Sequence, residues 1–185
     1  MTHAHDDHAG FINQLLFDNQ EVKVIMSDKG IDTLRKGQNS FVGGCTSKLA
    51  LAFCNVMKLF GMGQHKFPPI QAEYESRLII ISNDNRAYLE QELNGKIVET
   101  AGHTSDSISL LLNNGYLFCG DAAMNGFPSK HNITIWAEDK VAFLQSWQKI
   151  ITLQPTKIFS GHGKPFNVQI LKRNIGFVEN IKLHA

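Results

Sequence analysis

Residues 3–8 read His-Ala-His-Asp-Asp-His, and no other stretch of the chain restricts its fold so tightly. On an extended backbone side chains alternate, so His3 and His5 point the same way and can chelate one divalent ion. Asp7 and His8 follow where the chain turns toward a helical stretch. They face a neighbouring point, which suits a second ion. Imidazole nitrogens with a few carboxylate oxygens form the donor set that zinc prefers, with iron or manganese as less selective alternatives. Six residues cannot close such a site alone. The remaining ligands must come from segments distant in sequence, and the fold must carry them to this turn.

Three downstream segments qualify. "GHTSDS" contains His103, "FCGDAA" contains Asp121 and "FSGHGKP" contains His162. Each follows a stretch that patterns as a strand, where loops gather functional groups. Taken singly, each has an ordinary reading: His103 as a hydrogen-bonded structural histidine, Asp7 as a helix cap, Asp121 as a loop carboxylate. Their occurrence together, in order and each at a strand end, favours a shared site. Two ions about 3.5–4 Å apart can share a hydroxide, available near neutral pH because metal-bound water has a lowered pKa.

The order HxHxDH, GHT, GD after an apolar strand and GHG after another resembles the metallo-β-lactamase-fold hydrolase superfamily, and the likeness covers essentially the whole chain. It implies a mixed α/β fold, an αββα sandwich built as one domain over residues 1–185. By motif position the resemblance implies that His3, His5 and His103 form a first metal site and that Asp7, His8 and His162 form a second. Asp121 is implied as the carboxylate between them, and Asp7 and Asp121 as the residues taking part in catalysis. The implied cofactors are two zinc ions, with iron or manganese as alternatives. Aspartate at 121 resembles the glyoxalase II and lactonase-like branches more than antibiotic-degrading enzymes. Histidine at 5, where the di-iron oxygen-reducing branch has glutamate, argues against that branch.

The step from His8 to His103 is 95 residues, long for the pattern, so a segment is expected to be inserted there. Residues 41–62 pattern as an unusually apolar helix with only Lys48 and Lys58 charged. They are read, as part of a 41–65 insertion, either as a lid over a lipophilic substrate or as a helix buried against the core or a partner. Elsewhere the pattern predicts a helix over "GFINQLLFD" with Phe11, Leu15 and Leu16 on one face, a strand over "EVKVIMSD" and a buried strand over "SRLIIISND". Two strands joined at Asn113-Asn114-Gly115 follow, then a helix ending at Pro155, a strand, and a closing amphipathic helix. Thr104 and Ser105 are candidates to orient the imidazoles. Lys130 and His131 can contact an anion or simply be solvated. His65 and His184 have no supporting context.

Only Met1 and Thr2 precede His3, whereas strands usually precede the motif in the superfamily. The fold is therefore expected to be N-terminally incomplete, with His3 on a fraying end and apolar sheet surface exposed. That expectation leaves two readings open: a hydrolase acting on an ester, thioester or lactone, or a chain without independent activity, a fragment of a longer protein or one completed by a partner. A phosphodiesterase and an iron-dependent persulfide dioxygenase share the motifs. With 18 basic and 17 acidic side chains the formal charge is +1, which speaks against a nucleic-acid partner, since phosphate binding needs clustered lysine and arginine. The expected partner is a small-molecule substrate, with self-association of this chain as a further candidate. Three cysteines, an odd number without CxxC spacing, together with the absence of a signal-peptide pattern or a membrane-length apolar run, lead to the expectation of a cytoplasmic protein that does not enter a membrane.

Overall fold

The structure, a computed structural model, describes residues 1–184. Its largest sheet has four strands in the order β4 (Gly95–Glu99), β5 (Ile108–Leu112), β6 (Tyr116–Gly120) and β8 (Lys157–Ser160). The first two neighbour pairs are antiparallel, and β6 runs parallel to β8. Gly115 makes the β5–β6 turn in the left-handed region, with φ 85°. Because β6 and β8 are parallel, the chain between them must cross over. It does so through α6 (Lys140–Leu153), which packs with α7 (Val168–Glu179) on one face of the sheet. Phe143, Trp147 and Ile150 of α6 and Leu171 and Val178 of α7 meet Leu117, Cys119 and Ile158 there, all buried. Asp139 caps α6 by accepting from the N–H groups of Val141 and Ala142, and Gln154 ends it in the left-handed region before Pro155.

A second layer carries β1 (Val24–Met26), parallel to β3 (Leu78–Ile80). Helices α1 (Asp6–Ala9), α2 (Ile12–Asp18) and α3 (Ile31–Lys36) supply Ala9, Ile12, Leu16 and Leu34 to a separate core over β1. The order is helix, sheet, sheet, helix. Between the two sheets runs a cavity of about 640 Å³ lined by Val24, Ile25, Ile97, Leu110 and Phe118. Helix α5 (Arg86–Glu92) packs on the β4 edge.

Four local expectations change. On α2 the inward residues are Ile12 and Leu16, one turn apart, while Phe11 precedes the helix as its cap residue and is exposed. The strand at 78–80 is only half-buried. The helix expected over 41–62 is confined to α4 (Lys48–Leu59), capped by Ser47, whose hydroxyl takes the Ala50 N–H. Ahead of it, β2 (Gly44–Cys45) pairs with β7 (Trp136–Ala137) and with His184. Lastly, residues 1–3 do not fray: the Met1 amine donates to Ile25 O at 2.8 Å, Ile108 N–H donates to Thr2 O at 2.9 Å, and His3 is 1% exposed.

The segment around 41–65 leaves and returns at one place. Gln38 bridges Lys66, and Asn39 N–H donates to His65 O at 3.1 Å. Such an excursion rejoins the chain where it left and need not disturb either sheet.

Candidate metal centre

All seven side chains singled out by the motifs meet where β6 and β8 end beside the turn at residues 3–8. His5 closes the extended entry with φ −101° and ψ 159°, and its carbonyl takes the N–H groups of His8 and Ala9 at 3.0 and 2.6 Å, so the chain turns at once into α1. Ala4, between the two imidazoles, is buried, and its N–H donates to Asp106 Oδ2 at 2.9 Å. That bond fixes the extended segment so that His3 and His5 project together. Asp121 follows β6 directly and His162 follows β8 by two residues. Gly161, between β8 and His162, has no room for a side chain: a methyl there would lie 2.5 Å from both Asp121 Oδ1 and His8 Cε1.

The ligand atoms of His3, His5 and His103 lie within 4.8 Å of one another, as do those of Asp7, His8 and His162, and those of His3, His8 and Asp121. His5 Nδ1 is 3.0 Å from His103 Nε2. His162 Nε2 lies 2.9 Å from Asp7 Oδ2 and 3.4 Å from Asp121 Oδ2. His8 Nε2 stands 3.5 Å from Asp121 Oδ1 and 3.7 Å from Asp7 Oδ2, ion-pair distances without a hydrogen bond. Asp121 thus has one oxygen toward His8 and the other toward His103, 3.8 Å away, and His162.

Outer partners set the tautomers. His103 Nδ1 donates to Trp136 O at 2.8 Å. A carbonyl can only accept, so the proton sits on Nδ1 and the Nε2 lone pair faces the cluster. Thr134 Oγ1 lies 3.2 Å from the same Nδ1, and Thr2 Oγ1 lies 3.2 Å from His3 Nδ1. The expected Thr104 hydroxyl is bonded to Ser107 instead, and the backbone N–H of Ser105 donates to Glu138. Asp106, three residues past His103 in the same motif, was within reach of sequence reasoning. Thr134 and the Trp136 carbonyl carried no signal, because they arrive through β7 from a separate part of the chain. His65 acquires a context too, with Nδ1 3.3 Å from Asp6 Oδ2.

Among the described residues four buried side-chain atoms have no hydrogen-bond partner: His3 Nε2, His5 Nε2, His8 Nε2 and Asp121 Oδ1. Leaving a buried donor or acceptor unsatisfied costs about 1–3 kcal/mol. Four in one cluster of nitrogen and oxygen donors is what a divalent-ion site requires. The residues therefore fit the metals that the motif implies.

The cluster is electrostatically divided. Burial, reinforced by neighbouring His103, His5 and His8, holds His3 well below the usual imidazole range. Burial and then His103 push His5 down to about 3. Hydrogen bonds to Asp121 and Asp7 instead raise His162 to about 10. Burial opposes the protonation of His8, but Asp121 and Asp7 overcome it and raise its value. Burial also favours the protonated forms of Asp121 and Asp7. His162 and His8 outweigh it, keeping Asp121 well below the usual carboxylate range and Asp7 below its ordinary value. His3 and His5 are thus neutral imidazoles, while His8, His162, Asp7 and Asp121 form an ion-paired network.

Comparison with known proteins agrees with this arrangement. The metallo-beta-lactamase superfamily profile matches residues 1–162. The beta-lactamase-like protein 2 homolog of Drosophila melanogaster is 30% identical over 164 residues, spanning 84% of this chain and 51% of that protein. A hydroxyacylglutathione hydrolase of Glaesserella parasuis serovar 5 is 31% identical over 87 residues, 46% of this chain and 33% of that protein. The chain spans about half the length, or less, of these curated relatives. Among solved structures, an archaeal superfamily protein from Sulfolobus tokodaii covers 95% of this chain and 64% of its own length with a TM-score of 0.59 at 18% identity. TTHA1623, solved in a di-iron-bound form, covers 94% and 73% with a TM-score of 0.61 at 16% identity. These last two show a shared fold. With the profile running from residue 1 to His162 and so taking in all seven clustered residues, the chain belongs to the metallo-beta-lactamase superfamily.

Proposed function

We propose that the chain is a metal-dependent hydrolase that holds two zinc ions and cleaves an ester, thioester or lactone of a small molecule. The observation that carries this reading is the convergence of four unpartnered buried polar atoms in one cluster of imidazoles and carboxylates. His3, His5 and His103 would hold one ion and Asp7, His8 and His162 the other. Asp121, with its oxygens directed to both halves, would contact both. Bound there, divalent ions supply polarisation of a carbonyl oxygen and a water of lowered pKa.

The chain's own groups do the remainder. The Trp136 carbonyl fixes the His103 ring through its Nδ1 proton. Asp7, with its side chain 48% exposed, is the carboxylate of the cluster most open to solvent. His162 keeps it anionic, so its oxygens can accept a proton from an incoming water. Residues 41–65 are read as the cover of the mouth. Phe53 of α4 meets Phe127 edge-on at 6.0 Å, and Phe127 adjoins Gly126, which packs on the His162 backbone. Leu59, Phe60 and Phe127 expose 86%, 74% and 78% of their surface, apolar side chains that such a cover would offer an acyl chain.

The hydroxyacylglutathione hydrolases among the relatives support a thioester substrate. Three free thiols support a reducing compartment such as the cytoplasm, and among the described residues no helix is long and apolar enough to cross a membrane. The test is elemental analysis of the purified chain, followed by assays on a glutathione thioester, an aryl ester, a lactone, a phosphodiester and a β-lactam. Zinc-dependent cleavage of one of the first three, lost in Asp121→Ala, is expected. Activity confined to the phosphodiester or β-lactam, or indifferent to Asp121→Ala, overturns the reading. Iron as the retained metal, with oxygen consumed on a persulfide substrate, also overturns it.

A further inference from the structure

Away from the metal centre, a cavity of about 350 Å³ opens between the start of α4, the loop at 128–135 and the tail after α7. Its size is at the lower end for small-ligand sites. Lys48, Lys130 and Lys182 line it together with His131 and His184, and no aspartate or glutamate does. The ion pairs of lysine and arginine among the described residues are Arg35–Glu75 and Arg86–Glu99. Among the described residues the three lysines therefore have no carboxylate within 4 Å. Three exposed lysines bordering one concavity whose wall holds no acidic side chain focus a positive potential there.

The rest of the wall adds to this. Ile133, Ile135 and Ile181 contribute apolar surface, which lowers the local dielectric and strengthens any charge interaction made above it. The His131 ring stacks on Phe177 with centroids 3.6 Å apart and planes 7° from parallel. Its backbone is held in the left-handed region with φ 56°, a conformation that costs energy in a non-glycine residue. Ser47, the cap of the twelve-residue α4, belongs to the lining, so the positive end of that helix dipole adds to the lysine charge. None of the seven metal-centre residues contributes to the wall.

We propose that this cavity is a binding site for a small, multiply charged phosphate anion of the diphosphate class, held by Lys48, Lys130 and Lys182. Compact ammonium groups are point-charge partners for phosphate oxygens, and three of them match the charge of a diphosphate. A concavity of this size encloses such a group, where a nucleic acid needs an extended basic face. The site stands apart from the proposed hydrolase reaction and does not depend on it.

The test is equilibrium dialysis of the full chain against labelled inorganic pyrophosphate at about 0.15 M ionic strength. Saturable binding of one pyrophosphate per chain is expected, weakened about tenfold or more by the pair Lys48→Gln and Lys182→Gln. Binding should be retained by Lys48→Arg with Lys182→Arg and by the distant pair Lys29→Gln and Lys96→Gln. It should also persist in Asp121→Asn, which separates this cavity from pyrophosphate held at the metal centre. Unchanged thermal unfolding certifies that each variant is folded. Absence of binding, equal loss in the distant pair, or loss in Asp121→Asn overturns the proposal. So does a chain that binds a single-stranded oligonucleotide but not pyrophosphate.

Discussion

Replacing Gly161 with alanine probes how closely the two halves of the cluster are fitted together. The added methyl would stand 2.5 Å from Asp121 Oδ1 and from His8 Cε1, where ordinary contact begins near 3.4 Å. One or both groups must retreat by roughly 1 Å, several times the ±0.2 Å tolerance of metal–ligand distances. Neither can swing away freely, since Asp121 is buried and His8 is tied to α1. Gly161 does not require a left-handed backbone, so crowding is the whole effect. Overpacking of this kind costs about 1–3 kcal/mol, which for a chain of this length lowers Tm by about 2–12 °C. Because His8 and Asp121 are displaced while His3, His5 and His103 are not, the loss should be selective. Gly161→Ala should keep one ion of the two through dialysis and release the other, with activity falling accordingly. Elemental analysis beside calorimetric unfolding reads both quantities. Two ions retained with wild-type stability would refute the reasoning.

Metal loading should be proton-linked in a sign set by the divided cluster. In the metal-free chain at pH 7 His162, raised to about 10, is protonated, whereas His5, lowered to about 3, is neutral. Filling the Asp7–His8–His162 site must therefore expel the His162 proton, and this release should persist up to about pH 10. A weakly buffered zinc titration followed with an indicator dye checks it, and loading without proton release contradicts it. Thr134→Val should weaken retention of the first ion by about tenfold, the low end for an outer partner because the Trp136 carbonyl still holds the same nitrogen; dialysis against graded chelator measures this. Phe53→Ala removes the contact with Phe127 and should raise KM for long acyl substrates several-fold with kcat retained, while short ones are unaffected. Trp147→Ala should cost about 3–5 kcal/mol, since its ring is fully buried and its Nε1 donates to Ala122 O at 2.8 Å; denaturant unfolding reads the loss.

The clustering of these seven side chains was legible because a metal-type motif is a dense, ordered residue pattern: His3, His5, Asp7 and His8 in one turn, then single residues at strand ends. Strands β4, β5, β6 and β8 were legible from apolar patterning and from Asn113-Asn114-Gly115. What escaped was whatever depends on pairing between remote segments. β2 is two residues long, exists through its partners β7 and His184, and shortened the expected helix at 41–62 from its N-terminal side. Thr134 and the Trp136 carbonyl reach His103 by the same pairing. The order of residues 1–3 rests on bonds to Ile25 and Ile108, which no local pattern encodes.

The bridge between Gln38 and Lys66 has a consequence for how such a chain can change. Everything between them lies inside the loop that the cluster closes from His8 to His103. Closure entropy varies only with the logarithm of loop length, so removing 25 of those 95 residues changes it by about 0.3 kcal/mol. Length in this excursion is thus nearly free in closure entropy. What the excursion must keep is β2, because its pairing with β7 carries Thr134 and the Trp136 carbonyl to His103, whereas the stretch from α4 back to Lys66 can change in length around that fixed point.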